Sequence, residues 1–365
     1  GFTWLHLGNA AAGMSLLAPL APVTGVYGPS FVLAAFNTAL AVALIGGRRR
    51  ELAWLALLLP LPLLPRLPDG ETGDRAVRMV QPAVHPDEVM SGRWTARRAD
   101  EHFREMVAWS MLGDETNPAE RPELLIWPEY TVPVYYFDSP TTRQAAEAAA
   151  ALTGAHLVLN TVAFTEVDGQ RRPLNSVVTI APDGRLLSHY SKRFLVPFGE
   201  FTPWPFSLFI DKITLEAGDF YPGSEVVVTP VGERQIGAYV CYETVFARGV
   251  REFVDRGAEV LINVSNDSWY GASAARHQHL LLSRMRAIEN GRYILRATAD
   301  GITTVINRAG QVVEPLPSFR PGVLNAHFAY HAERTPFVEW GEWFWYLTLA
   351  GAAAAVAGAR RRQPA

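Results

Sequence analysis

Apolar positions are concentrated at the two ends of this 365-residue chain, on either side of a mixed central region. Residues 3–47 contain no Asp, Glu, Lys or Arg. Within them, residues 26–45 are long enough to cross a bilayer, because about 20 apolar residues span its hydrocarbon core. A second apolar run covers residues 52–67. A third, over residues 343–358, begins with aromatic side chains that suit the headgroup level of a membrane. The pattern predicts membrane segments on both sides of the central region.

The second run is the weakest of the three as a membrane span. It carries Pro60, Pro62 and Pro65, and proline removes a backbone donor from a helix. A re-entrant or interfacial segment is therefore an alternative to a full span here. The first run carries only Pro29 and Asn37 as interruptions, which a membrane helix tolerates.

Basic residues beside these runs predict the topology. Arginines 48–50 separate the first two runs, and arginines 360–362 follow the third. Lys and Arg accumulate on the cytoplasmic side of membrane segments, so both triplets are placed inside. We therefore expect a partial N-terminal membrane domain over residues 1–73, an extracytoplasmic domain over 74–340, and a C-terminal transmembrane helix with a basic cytoplasmic tail over 341–365.

The start of the chain is unusual for a membrane protein. Gly1 stands where a methionine would begin translation, and no basic segment precedes the first apolar run. That combination does not match a signal peptide. We expect a processed or partial chain that lacks earlier membrane helices.

The central region alternates short apolar segments with helical patterns, which is typical of a layered α/β domain. Asp183-Gly184 between two of the apolar segments is a strong hairpin signal. The predicted strands cover residues 77–80, 124–127, 156–164, 176–180, 186–190, 236–240, 259–264, 303–307 and 312–314. The predicted helices cover residues 96–112, 141–152, 246–256 and 274–290.

Candidate chemistry is found where three of these segments end. Cys241, the single cysteine, follows the apolar run over residues 236–240 and has no disulfide partner within the chain. Glu129 ends the segment Leu-Leu-Ile-Trp-Pro-Glu, and Lys192 opens Ser-Lys-Arg-Phe-Leu-Val-Pro-Phe-Gly-Glu. A thiol needs a base or a nearby cation to react at neutral pH. We predict a nucleophile site in which Glu129 is the base and Lys192 stabilises the oxyanion, with the backbone N–H of Tyr242 as a second donor.

Other functional classes have weaker support. The net charge of −3 argues against nucleic acid as a partner. No G-x-S-x-G elbow, Walker loop or G-x-G-x-x-G motif occurs. His277 and His279 are two apart on a predicted helix and so face different directions, which disfavours a metal site. We expect no metal and no cofactor.

The candidate residues resemble the Glu-Lys-Cys set of the nitrilase, or carbon–nitrogen hydrolase, superfamily. The closer similarity is to its membrane-embedded branch, the apolipoprotein N-acyltransferase family, and it extends over nearly the whole chain. The matching segments include Trp-Pro-Glu129, Cys241-Tyr-Glu243, Leu17-Ala-Pro-Leu-Ala-Pro22, Gly25-Val-Tyr-Gly28, Met79-Val-Gln-Pro82, Leu195-Val-Pro-Phe-Gly-Glu200, Asn263-Val-Ser-Asn-Asp-Ser-Trp-Tyr-Gly271 and Arg284-Met-Arg-Ala-Ile-Glu-Asn-Gly-Arg292.

The resemblance implies an α-β-β-α nitrilase-type sandwich flanked by transmembrane helices, in a multi-pass protein of the bacterial cytoplasmic membrane with its catalytic domain on the periplasmic side. It implies transfer of a fatty acyl chain from a phospholipid, usually phosphatidylethanolamine, to the N-terminal amine of a diacylglyceryl-cysteine in an apolipoprotein. Cys241 would form the thioester, with Glu129 as base and Lys192 as oxyanion stabiliser. The resemblance also assigns supporting roles to Glu200, Tyr242 and Glu243, and substrate contacts to Trp269, Tyr270 and Trp94.

Two other functions are compatible with these residues. One is a membrane-anchored amidase of the nitrilase type that acts on a small amide. The other is an inactive membrane protein that binds lipoproteins or a partner enzyme, which the intact Glu-Lys-Cys set disfavours. The apolar runs favour a lipid substrate, because exposing an acyl chain to water costs about 0.8 kcal/mol per methylene.

Overall fold

The central region folds into two facing six-stranded β-sheets. The computed structural model describes residues 3–46, 49–68, 70–84, 95–113, 117, 120–130, 134–204 and 220–361. The first sheet has the strand order β12-β1-β2-β3-β4-β5 and the second β11-β10-β9-β8-β7-β6. The strands are β1 (Arg75–Gln81), β2 (Leu124–Ile126), β3 (His156–Val167), β4 (Gln170–Ile180), β5 (Leu186–Ser191), β6 (Val228–Val231), β7 (Arg234–Val240), β8 (Val260–Ser265), β9 (Ile294–Thr298), β10 (Thr304–Ile306), β11 (Val312–Val313) and β12 (Gly322–Phe328).

Eight α-helices accompany these strands in the described residues. They are α1 (Ala21–Thr24), α2 (Tyr27–Ile45), α3 (Ala96–Ser110), α4 (Pro140–Thr153), α5 (Ala247–Asp255), α6 (Ala275–Asn290), α7 (Pro336–Trp340) and α8 (Trp343–Arg361).

Alternate side chains of the first sheet point to opposite faces, and each face packs against its own hydrophobic core. Val77 and Met79 of β1 point into the apolar layer shared with the second sheet, where Val240 and Ile262 meet them. Val80 points the other way, into a separate core formed with α3 and α4. On its outer face the second sheet is covered by α5 and α6. These layers confirm the predicted α-β-β-α sandwich.

Three strands of the structure have no clear apolar pattern in the sequence. β6, β9 and β12 were not predicted, although each is paired along its length. β9 reads Ile-Leu-Arg-Ala-Thr, and the fully buried Arg296 in its middle interrupts the apolar signal. β12 reads Gly-Val-Leu-Asn-Ala-His-Phe and alternates only weakly, because it borders the sheet beside β1.

The helix α2 is the one helix of the described ranges that is long and apolar enough to cross a membrane, and the apolar part of α8, Trp343–Gly358, is shorter. Their first turns lie side by side. The ring of Tyr27 is 5.9 Å from that of Trp345, and the Phe31 ring is 5.9 Å from that of Phe344. The two helices therefore leave the sandwich from the same side.

The predicted span over residues 52–67 does not form an α-helix. Three-ten turns cover Arg49–Leu58 and Leu61–Leu63 instead. Pro60 and Pro62 cannot donate the backbone hydrogen bonds that an α-helix needs, which accounts for the interruption between the two segments. The expectation of a second helical span is not confirmed.

The N-terminal segment is packed onto the sandwich through α6. Ala11, Leu17 and Ala21 share a buried cluster with Met285 and Ile288 of that helix. The Val26 N–H donates to the buried Glu289 carboxylate at 2.7 Å. These contacts fix the start of α2 relative to the two-sheet sandwich.

The close approach of Gly223 to the end of β5 gives a stability prediction. A Cβ at residue 223 would lie 2.2 Å from the Ser191 carbonyl oxygen, so Gly223→Ala must displace the backbone next to Lys192. Overpacking of this kind costs about 1–3 kcal/mol. We expect a lower melting temperature in a thermal unfolding scan in detergent, together with reduced turnover. Gly351→Ala, which meets nothing within 4 Å and replaces a helical glycine by a better helix former, is the control and should lower neither.

Candidate active site

Cys241 occupies a sharp turn between β7 and a short three-ten helix, Cys241–Val245. Its φ of +48° is in the left-handed region, which residues other than glycine seldom adopt. Such a conformation costs of order 1–3 kcal/mol and persists when surrounding contacts enforce it. The side chain is 7% exposed. The strand therefore presents a buried thiol at the rim of the second sheet.

Glu129 reaches the same place from the first sheet. It follows β2 by three residues and is 9% exposed. Its Oε1 accepts from Asn175 Nδ2 at 2.9 Å, and its Oε2 accepts from the Asn266 N–H at 2.9 Å. Asn175 belongs to the first sheet and Asn266 follows β8 of the second. The carboxylate therefore spans the gap between the sheets.

Lys192 directly follows β5 and is 1% exposed. Its Nζ lies 2.9 Å from Glu200 Oε1 and 3.9 Å from Glu129 Oε1. Burial lowers the pKa of Lys192, but the carboxylates of Glu200 and Glu129 outweigh that effect and raise it above its ordinary value. The ammonium is therefore charged at neutral pH. It is a fixed cation beside the thiol.

Glu200 holds this cation in place. Its Oε1 accepts from both Lys192 Nζ and Asn175 Nδ2, the latter at 2.8 Å, and its Oε2 accepts from the Val196 N–H at 2.8 Å. One amide group of Asn175 thus bridges the two glutamates on either side of the lysine. Sequence reasoning missed Asn175, because it lies in β4 one residue before the predicted strand began and resembles an ordinary polar strand residue.

The protonation states follow from burial and from the neighbouring charges. Burial raises the pKa of Glu129, against the opposing effects of Lys192 and of hydrogen bonds from Asn175 and Cys241. Burial and the Glu129 carboxylate raise the pKa of the Cys241 thiol, which Lys192 only partly offsets. The raised pKa of Cys241 keeps the proton on sulfur, next to the carboxyl group of Glu129. Such a carboxylate has the raised basicity that suits a general base.

Glu243 connects the cysteine turn to the lysine segment. Its Oε1 accepts from Tyr190 Oη at 2.7 Å, from the Arg193 N–H at 2.8 Å and from the Phe194 N–H at 3.2 Å. Its Oε2 accepts from the Val240 N–H at 2.9 Å. The carboxylate therefore sets the distance between Cys241 and Lys192 through the backbone on either side.

The aromatic residues predicted to contact the substrate differ in their surroundings. The Tyr242 ring packs edge-on against Phe246, 5.3 Å between centroids, so its side chain belongs to the turn. Trp269 is 44% exposed. Tyr270 packs edge-on to His279 at 5.6 Å and to Trp4 of the N-terminal segment at 5.8 Å. Trp94 lies outside the described residues.

A second polar cluster lies behind the cysteine turn and was also missed by sequence reasoning. Asp267, His279 and Arg296 are each 0% exposed. His279 Nδ1 is 2.9 Å from Asp267 Oδ1, and Arg296 Nη2 is 2.5 Å from Asp267 Oδ2. Burial would raise the pKa of Asp267, but Arg296 and His279 hold it well below its usual range. His279 had been considered only as a metal ligand, and its aspartate partner is 12 residues away in sequence, which explains the omission.

The model of the carbon–nitrogen hydrolase family matches residues 107–333 of this chain. The matched segment contains all of Glu129, Lys192, Glu200 and Cys241. It covers more than half of the chain.

Curated relatives extend the similarity to the whole chain. The apolipoprotein N-acyltransferase of Geobacter metallireducens is 32% identical over 380 residues, which cover 100% of this chain and 71% of the relative. That of Methylococcus capsulatus is 34% identical over 377 residues, with the same coverage of both chains.

Solved structures share the fold. A cysteine-to-serine mutant of an amidase of the nitrilase superfamily from Nesterenkonia AN1 matches with a TM-score of 0.50 at 20% identity, over 76% of this chain and 98% of that one. The cysteine-to-alanine mutant of the same amidase also has a TM-score of 0.50 at 20% identity, over 70% and 91% of the two chains. At this identity the likeness concerns the nitrilase-type fold alone.

The hydrogen bond from Asn175 to Glu129 predicts the direction of a pH effect. A base with a raised pKa loses its reactive, ionised form as the pH falls, at a higher pH than an ordinary glutamate would. Asn175→Leu removes a donor that stabilises the carboxylate, so the acid limb of the Cys241 alkylation rate should move to still higher pH. Iodoacetamide alkylation followed by mass spectrometry across the pH range measures it.

Tyr190→Phe is the matched control for this experiment. It also removes a buried hydrogen bond to a glutamate, but that glutamate is Glu243 and not the proposed base Glu129. Its acid limb should coincide with that of the unmodified protein. An acid limb of Asn175→Leu that stays in place, or moves to lower pH, would contradict the role of Glu129 as base.

Proposed function

The chain belongs to the apolipoprotein N-acyltransferase family of carbon–nitrogen hydrolases, and we propose that it transfers a fatty acyl chain from a phospholipid to the N-terminal amine of a diacylglyceryl-cysteine in an apolipoprotein. The observation that carries the proposal is the similarity to enzymes of that name over the entire chain, at 32–34% identity in the two relatives above. The buried Glu129–Lys192–Cys241 arrangement supplies chemistry that suits it.

In the first half-reaction the Cys241 sulfur attacks the ester carbonyl of the phospholipid. Glu129 takes the thiol proton, and the carbonyl oxygen becomes an oxyanion. Lys192 Nζ and the Tyr242 N–H are the donors proposed to hold this oxyanion. When the tetrahedral intermediate collapses, the ester C–O bond breaks and the lysophospholipid alkoxide takes the proton from Glu129. A thioester remains on Cys241.

In the second half-reaction the α-amine of the acceptor attacks the thioester carbonyl. Glu129 accepts the proton that the nitrogen loses, and the same two donors hold the second oxyanion. The C–S bond then breaks, and the Cys241 thiolate takes the proton back from Glu129. The product is an amide, and the enzyme returns to its starting state.

Lys192 is suited to both oxyanions because it stays charged throughout. A preorganised donor in a site that excludes water contributes about 3–4 kcal/mol to the stabilisation of such a transition state. Glu200 holds the ammonium closer than Glu129 does, since Nζ is 2.9 Å from Glu200 and 3.9 Å from Glu129. Glu129 remains available for the proton.

The lipid substrate is supported by the surface of the two terminal helices. Large apolar side chains of both helices are exposed: Phe31, Phe36, Leu40, Leu44 and Ile45 on α2, and Trp345, Tyr346, Leu347, Leu349 and Val356 on α8. Contiguous exposed apolar surface marks a membrane or partner interface.

We further propose that both helices run from the outer side of the bacterial cytoplasmic membrane to its inner side. The first turns of α2 and α8 meet beside the sandwich. At the other end of each helix the sequence has three arginines, residues 48–50 after α2 and residues 360–362 at the end of α8. Because Lys and Arg favour the cytoplasmic side, the sandwich lies outside, next to the outer leaflet. This placement shortens the passage of an acyl chain through water on its way to Cys241, which matters because each exposed methylene costs about 0.8 kcal/mol.

The acyl-enzyme gives the direct test. Purified protein reconstituted with phosphatidylethanolamine should gain the mass of one acyl chain on Cys241, and hydroxylamine should remove it. Cys241→Ala should gain none, and Glu129→Gln should be acylated about 10²–10⁴-fold more slowly, since it lacks a general base. Intact-protein mass spectrometry measures all three.

Addition of a diacylglyceryl-cysteine peptide should discharge the adduct and yield an N-acylated peptide. Hydrolysis of small amides with no phospholipid-derived adduct would instead favour the membrane-anchored amidase.

The topology is tested by cysteine labelling in a Cys241→Ala background. Ala272 is an exposed position of the sandwich, so Ala272→Cys should react with a membrane-impermeant maleimide added to intact spheroplasts. Arg360→Cys should react only after the membrane is permeabilised. The opposite pattern, or equal labelling of both in intact spheroplasts, would overturn the proposed orientation.

A further inference from the structure

Two buried side chains behind the cysteine turn contact the same acceptor, the carbonyl oxygen of Cys241. His279 Nε2 lies 3.2 Å from this oxygen, and Asn263 Nδ2 lies 3.4 Å from it. A carbonyl oxygen can only accept, so Nε2 of the imidazole must carry the proton. His279 is therefore a donor at this atom.

The orientation of Asn263 is decided by the same argument. Its Oδ1 is 2.5 Å from Arg296 Nη1. A guanidinium can only donate, so the amide oxygen must face Arg296 and the amide nitrogen must face Cys241. Arg296 Nη2 lies 3.0 Å from His279 Nδ1 and can only donate to it, which leaves the ring proton on Nε2, and the same guanidinium binds Asp267. The guanidinium and the carboxylate together fix both donors.

The Cys241 carbonyl and the Tyr242 N–H belong to one rigid peptide plane and point in opposite directions. Fixing the carbonyl therefore fixes the direction of the N–H. This matters at Cys241 because its φ of +48° lies in the left-handed region, where surrounding contacts must hold the turn. Donors on the carbonyl also polarise the peptide and strengthen the N–H on its other side as a donor.

We propose that His279 and Asn263, held by Asp267 and Arg296, are positioning residues that aim the Tyr242 N–H at the oxyanion. The inference rests on the proposed acyl transfer only in requiring an oxyanion at Cys241. His279 acts through the peptide and does not touch the substrate. A role confined to folding would weaken every reaction of the thiol alike, whereas this role weakens only reactions that pass through an oxyanion.

The test compares two reactions of Cys241 in His279→Leu. Acylation by p-nitrophenyl butyrate passes through an oxyanion, and its burst of p-nitrophenolate should slow about 10–100-fold, short of the full loss of a donor. Alkylation by iodoacetamide is a direct displacement without an oxyanion, and its rate should change by less than about threefold. His279→Gln, whose side-chain amide can donate to the carbonyl, should recover much of the acylation rate.

Ser283→Ala is the matched control, because Ser283 contacts Arg296 in the same buried cluster without touching the Cys241 carbonyl. Its acylation rate should stay near that of the unmodified protein. If His279→Leu does not fold, Asn263→Ser removes the other donor and carries the same expectation.

Equal slowing of acylation and alkylation, or unchanged acylation, would overturn the inference. Protein that is acylated by the nitrophenyl ester but not by phospholipid would overturn the proposed donor and leave the positioning role standing.

Discussion

The buried ammonium of Lys192 is the interaction on which the candidate site depends. A buried charge costs several kcal/mol unless close partners compensate it. Glu200 at 2.9 Å and Glu129 at 3.9 Å provide that compensation. The arrangement has two carboxylates for one lysine, so one negative charge is left over. Burial is the main cause that raises the pKa of Glu129 and of the Cys241 thiol together, the neighbouring carboxylates add to it, and Lys192 opposes it, so the proton stays on sulfur.

This charge balance exists only in the assembled sandwich. Glu129 and Asn175 belong to the first sheet, whereas Cys241 and Asn266 belong to the second. Hydrogen bonds to Glu129 come from both sheets. Glu243 ties the backbone of the lysine segment to that of the cysteine turn. A partly folded chain therefore has no preformed thiol–base pair, and the reactivity of the cysteine is coupled to the packing of the two sheets.

The sequence was informative where a signal is local. The run over residues 236–240 predicted β7 with Cys241 at its end, and the Trp-Pro-Glu segment predicted a glutamate at the end of β2. The structure brings both together with Lys192 and Glu200, while their catalytic roles stay predictions. Asn175, Asp267 and Arg296 could not be found in this way, because their partners are distant in sequence. The fully buried Arg296 even concealed the strand that carries it. The prolines of residues 60–65 marked the second apolar run as the weakest of the three spans, and three-ten turns cover most of it in the structure.

The same sandwich occurs in an amidase at 20% identity, so the fold alone does not select a substrate. What the described chain adds to the two sheets is an N-terminal segment packed against α6 and two apolar helices that begin beside each other. Trp4 from that segment stacks on His279, 5.4 Å between ring centroids, and packs edge-on against Tyr270. The N-terminal segment that precedes α2 thus contacts the cluster that holds the Cys241 carbonyl.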